Sequence, residues 1–188
     1  LKRTKELIKK KYNCENKNSI REKIVNTIRE KNIKTILTLE SPDFLLSKML
    51  PDKKIIVWEN DSKVHTKMEK RIPKNVDLVF GNIGKFGVIG KDVDAIYLDF
   101  CGTWMKEQNE IVRLNEKLKN SKLFILTLCL RESKTHKERG EVFYGDYQFD
   151  LINKIQNLTK INWKVIYGES YYDSVQMVTI IMENCDKE

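Results

Sequence analysis

Three carboxylates close three apolar runs. Glu40 follows "TILTL", Glu59 ends "KIIVWE" and Asp99 follows "AIYL". A carboxylate at the end of a buried strand is costly unless it has a partner or a task, because it gives up water for a low dielectric. Asp99 opens the richest stretch, "DFCGTW", which continues with Phe100, Cys101, Gly102, Thr103 and Trp104. Gly102 permits a tight turn beside a ligand. Phe100 and Trp104 offer faces on which a flat ring can stack. Asp99 itself either orients a reacting group and takes its proton, or caps the next helix. The turn "ESPD" after the first run holds no glycine. A dinucleotide pyrophosphate needs the close backbone approach that glycine allows, so this turn argues against NAD. The glycine-bearing loop "GNIGKFGVIG" lacks the G-x-x-x-x-G-K-[ST] pattern of a phosphate loop. A later loop carries Arg131, Lys134, His136, Lys137 and Arg139 and would suit phosphate contacts.

Composition narrows the classes. The 188 residues suit one compact domain with an appended element, and 40% are hydrophobic, enough for a core. No apolar run reaches the roughly 18 residues that a membrane span requires. The chain opens on Leu1 rather than methionine, which leaves room for residues upstream, and its start has no secretory pattern. Cys14, Cys101, Cys129 and Cys185 are widely spaced, with no CxxC pair and no His/Cys cluster. That spacing fits neither a zinc site nor a disulfide framework, and the expectation is reduced thiols in a cytoplasmic setting, with no metal. The net charge of +8 is uneven: residues 1–33 hold 11 Lys/Arg against 4 Asp/Glu, and the other 155 hold 24 against 23. A basic segment beside a neutral body points to a polyanion partner.

The elements that must position these groups alternate. Two helices are expected first, one capped by Thr4 and carrying Leu7, Ile8 and Tyr12. The other is opened by the capping box Ser19–Glu22 and carries Ile24, Val25 and Ile28 on one face. "CENKNS" reads as the loop between them. From Lys34 onward, strands alternate with helices. "KTILTL" leads to a helix over 42–50, with Ser41 as its cap and Pro42 as its first residue. "KIIVWE" leads to a helix over 62–71 capped by Asp61, and "VDLVF" leads into the glycine loop. "DAIYLDF" leads to a helix over 105–119 with Ile111, Leu114 and Leu118 on one stripe. "KLFILTLCL" leads to the basic loop, 131–146, and a helix over 147–158. "WKVIYGES" and "QMVTIIMEN" close the chain with too few residues between them for a crossover, so they pair antiparallel. Strand–helix alternation and continuous apolar strands imply parallel βαβ units buried on both faces. The expected fold is α/β. It is a doubly wound, seven-stranded, mostly parallel sheet over 34–188 with the last strand antiparallel, plus a basic helical extension over 1–33.

This order resembles the class I S-adenosylmethionine-dependent methyltransferases over about residues 33–184. In such sheets ligands bind at the carboxyl ends of the strands near the switch point. The resemblance implies that Glu40 takes the family's acidic position, with Ser41 and Pro42 where glycines usually stand. S-adenosylmethionine carries no phosphate, and its sulfonium and amino acid can be met by a carboxylate and a capped helix N-terminus. Glu59, followed by Asn60, would accept the ribose hydroxyls, and Asn82 and Ile83 would meet the adenine. Asp99 and Phe100 would stand at the reaction centre. Cys101, Gly102, Thr103, Trp104, Arg131 and Lys134 would face the acceptor. The implied activity is methyl transfer to a nucleic acid, RNA or DNA, with no metal and no membrane, and with room for a protein partner. A non-catalytic binding module with this fold and a small-molecule or protein methyltransferase are the alternatives. Cys101 and Cys129 lie near positions where RNA cytosine methyltransferases keep cysteines, which leaves a covalent route open.

Overall fold

Residues 15–83, 93–130, 144–173 and 175–187 are described by the computed structural model. The helix expected from Thr4, residues 84–92 of the glycine loop region and residues 131–143 lie outside them, so Arg131, Lys134 and His136 have no structural description.

Seven strands form one sheet: β1 (Thr35–Thr38), β2 (Lys54–Glu59), β3 (Val76–Phe80), β4 (Ala95–Asp99), β5 (Leu123–Cys129), β6 (Trp163–Asp173) and β7 (Val175–Asn184). Their spatial order is β3-β2-β1-β4-β5-β7-β6. The pairs from β3 through β5 are parallel, and β7 runs antiparallel to both β5 and β6. This is the doubly wound sheet with a reversed last strand that the alternation of elements implies. The chain leaves β1 toward one edge and returns at β4 toward the other, so the switch point lies between these two strands. All seven residues of β5 are buried, as a central strand covered on both faces requires.

Among the described residues the α-helices are α1 (Glu15–Glu30), α2 (Leu45–Met49), α3 (Ser62–Glu69), α4 (Trp104–Arg113), α5 (Asn115–Asn120) and α6 (Tyr144–Thr159). Asp61 caps α3 as expected, accepting from the N–H groups of Lys63 and Val64 at 2.8 and 3.1 Å. Ile24, Val25 and Ile28 of α1 are buried, in one core cluster with Ile36, Ile55 and Ile125 of the sheet. Ile111, Leu114 and Leu118 are fully buried in the cluster on the opposite side.

Four expectations about the helices are corrected. α1 already runs from Glu15, so Ser19 is inside the helix and "CENKNS" is not the loop: Asn18, a turn former, is occupied by the Arg21 guanidinium at 2.7 Å. The helix expected over 105–119 is two, joined by a tightened turn at Leu114. The Leu114 N–H there reaches the carbonyls of both Glu110 and Ile111 at 3.1 Å. α6 begins three residues before the expected Tyr147. The helix expected from Pro42 is only α2, five residues starting at Leu45.

That last difference has a local cause. Phe44 N–H bonds the Ser41 carbonyl at 3.0 Å, closing a turn with Pro42 and Asp43 in its centre. Phe44 then takes a left-handed conformation, φ 49° and ψ 48°, with its side chain fully buried. Burial of that ring holds a backbone shape that normally favours glycine. Ser41 is therefore a turn residue and not the cap.

Candidate active site

The side chain that holds the start of α2 is Glu40. Its carboxylate accepts the Ser47 N–H at 2.9 Å and the Ser47 hydroxyl at 2.7 Å, with a further hydrogen bond from the Leu46 backbone. At the other end, the Asn75 amide donates toward the carbonyls of Ser47, Leu50 and Lys53 at 3.3, 2.9 and 3.2 Å. Burial raises the Glu40 pKa above its ordinary 4.5, and the Ser47 and Leu46 hydrogen bonds with the Arg21 charge oppose it. A carboxyl that is more basic when folded binds its proton more tightly in the folded state. Its contribution to stability is fully present below the ordinary value and is lost as pH rises through the raised one. Glu40→Gln cannot ionise. Its stability should therefore fall less than that of the wild type between about pH 4 and pH 7. Urea unfolding at the two pH values reads this directly, and parallel changes in both proteins would clear Glu40 of any part in the pH dependence.

The carboxyl ends of β1 to β4 open on one cleft of about 750 Å³. Glu40, Ser41 and Pro42 line it after β1, and Glu59 and Asn60 line it after β2. Asn82 and Ile83 enter after β3, and Asp99, Phe100 and Cys101 enter after β4. Ten expected residues thus meet in one cavity. Gly102 and Thr103 are outside its lining, and Trp104, the first residue of α4, is buried in the core. Trp104 opens α4 facing the sheet, so stacking on an acceptor is corrected to core packing.

Each side chain has a defined setting. Glu59 is half-buried, and its Oε1 accepts the Asp61 N–H at 2.7 Å. Asn82 donates to Glu110 at 3.3 Å, and Arg113 donates to the same oxygen at 2.8 Å. Gly81 stands beside them with φ 138°, and a Cβ there would lie 3.4 Å from the Trp58 ring. Asp99 Oδ2 lies 3.9 Å from Lys17 Nζ. Beneath it, Tyr97 is hydrogen-bonded to Thr127, whose hydroxyl is 2.8 Å from that of Thr179. Burial first, then the Asp99 charge, hold the Tyr97 phenol well above its ordinary value. Loss of water around the sulfur, then the same Asp99 charge, push the Cys101 thiol up. Cys129 is buried in the core. The Cys101 setting disfavours the thiolate on which a cysteine nucleophile depends, and Cys129 stands outside the lining of the cleft.

Both cations of the lining, Lys17 and Arg21 from α1, are residues that sequence reasoning did not assign to the cleft. Their only signal was their place in the basic segment 1–33, since the sequence puts Lys17 in the expected loop "CENKNS". The lining holds six acids, Glu40, Asp43, Glu59, Asp99, Glu107 and Glu110, against these two cations, among the described residues. No group of three His, Cys, Asp or Glu side chains among them could hold a metal ion, and no described helix is long and apolar enough to cross a membrane.

No family model matches the sequence, and neither does any curated protein. Solved structures do match the fold. The Methanococcus jannaschii fibrillarin pre-rRNA processing protein is 12% identical over 80% of this chain, with TM-score 0.56, and the chain covers only 66% of its length. The methyltransferase domain of bacterial CtHen1 is 12% identical, with 87% of this chain and 96% of that one covered and TM-score 0.56. Thermoplasma acidophilum 1320 is 10% identical with 91% of each chain covered and TM-score 0.59. The likeness to class I S-adenosylmethionine-dependent methyltransferases expected from the order of elements stands at the level of the fold.

Proposed function

We propose that this class I methyltransferase fold binds S-adenosylmethionine in the cleft and directs its methyl group to an acceptor, with a nucleic acid as the acceptor class. The observation that carries the reading is the convergence of Glu40, Glu59 and Asp99, from three strand ends, on one cavity at the switch point. The residues present fit that cofactor. The cleft is within the roughly 300–1,000 Å³ of small-ligand sites. Its acid excess suits a cation, its walls at Leu39, Ile83 and Phe100 are apolar, and Gly81 leaves room beside the Trp58 ring.

The cofactor, when bound, supplies an already activated methyl group, so the protein has mainly to align reactants and exclude water. Glu59 accepts hydroxyl hydrogens with the carboxylate that Asp61 N–H orients. Ile83 and Phe100 present apolar surface to a flat ring. Asp99 orients the acceptor or takes its proton at the end of β4. Lys17 holds Asp99 from the facing helix.

Two features support a nucleic-acid acceptor: the charge concentrated in residues 1–33, and the likeness to a pre-rRNA processing protein. The acid lining is unfavourable for phosphates inside the cleft, so they would run outside it and only the reacting group would enter. That same lining favours the second reading, a small neutral or cationic acceptor. A thermal shift with S-adenosylmethionine tests the cofactor. Ligand at a hundredfold excess over Kd raises stability by about 2.7 kcal/mol, and no shift at millimolar ligand defeats the proposal. Gel shifts with RNA and duplex DNA over a salt series test the acceptor. Phosphate contacts make log affinity fall by roughly 0.9 per contact per log unit of salt on duplex DNA. A weak, salt-insensitive response would move the assignment to the small acceptor.

A further inference from the structure

The single anionic group of S-adenosylmethionine is the carboxylate of its amino-acid end, and the cleft offers that group little. Three of its walls end in carboxylates. The amides at the start of α2, the natural donors after β1, are occupied by Glu40: Ser47 N–H and hydroxyl and the Leu46 backbone all point to it. Among the described residues, cations enter from one side only. Lys17 and Arg21 stand four residues apart on α1, on one face of the helix, and both line the cleft. Lys17 reaches within 3.9 Å of Asp99 with its side chain only 14% exposed, which is unusual burial for a lysine. Arg21 is close enough for its charge to act on both Glu40 and Tyr97. Between them they bracket the switch point, Lys17 at the end of β4 and Arg21 toward the end of β1.

We infer that Lys17 and Arg21 of the N-terminal helix form the carboxylate-binding end of the cleft, replacing the helix amides that Glu40 has taken. The inference rests on the cofactor reading above. It assigns to α1 a place in the ligand site as well as in the core. It also accounts for a turn after β1 without glycine, since no anion has to approach that backbone. The Arg21 fork can meet a carboxylate with two parallel hydrogen bonds, and Lys17 adds a point charge.

Two probes separate this role from others by calorimetry. S-adenosylmethionine has the carboxylate; 5′-methylthioadenosine has the nucleoside and the sulfur but no amino-acid end. Arg21→Gln and Lys17→Gln should each bind S-adenosylmethionine about tenfold more weakly, as loss of a charge-assisted hydrogen bond implies. Both should bind 5′-methylthioadenosine within twofold of wild type, and Arg21→Lys should recover part of the loss. Equal losses for both probes would make the cations structural and overturn the inference. Wild-type affinity for both probes in both variants would also overturn it and assign the cations to the acceptor or the surface, leaving the cofactor reading intact. A wild-type protein that binds neither probe would defeat the cofactor reading, and the inference with it.

Discussion

Changing Asp99 to asparagine is expected to lower methyl transfer by about 10²–10⁴-fold, the usual contribution of a positioned proton acceptor. Affinity for S-adenosylmethionine should stay within a few-fold. Asparagine keeps the shape of the side chain and can still hydrogen-bond, but it cannot carry away a proton. Asp99 is the last residue of β4, partly exposed at the cleft and next to Phe100 on its wall. The substitution also removes the charge that faces the largely buried Lys17 at 3.9 Å, so the stability of the variant is measured beside its transfer rate. Transfer of a labelled methyl group into RNA, measured beside binding, separates the effects. Undiminished transfer would remove Asp99 from the reaction. Loss of transfer in Cys101→Ala, with Asp99→Asn active, would restore the covalent route that the raised thiol pKa disfavours.

The second large effect is expected at Glu59. Hydrogen bonds to a charged group contribute about 1.5–3 kcal/mol, so Glu59→Ala should weaken S-adenosylmethionine binding by roughly 10- to 150-fold. The fold should hardly notice. The Asp61 N–H that Glu59 accepts is exposed, so water replaces the carboxylate there, and Asp61 keeps its own bonds to the start of α3. Calorimetry with the folded variant reads this, and an unchanged Kd would exclude Glu59 from the site.

The strands were legible because apolar runs of five to seven residues leave little choice in a doubly wound sheet. β2 and β3 keep their expected ends, and "FILTLC" is buried throughout. The acids at the ends of β1, β2 and β4 were legible for the same reason. What local pattern could not show was how groups distant in sequence answer one another. Ser41 and Pro42 carry good helix-start chemistry, yet buried Phe44 closes a turn and Glu40 takes over the start of α2. Trp104 follows a glycine near the site like a stacking residue, but the phase of α4 turns it inward. Lys17 and Arg21 fell within the basic segment read as a polyanion contact, with Lys17 in the expected loop "CENKNS". Only the packing of Ile24 and Ile28 against the sheet brings that helix over the cleft.

The five residues of α2 are far too few to form a helix unaided, since nucleation is unfavourable and short helices are marginal in water. Here Glu40 holds one end and Asn75 the other. The wall of the cleft after β1 is therefore preorganised by the fold. A glycine-rich connection would surrender its conformational entropy when a ligand arrives; this one surrendered it during folding, so that loss no longer detracts from affinity.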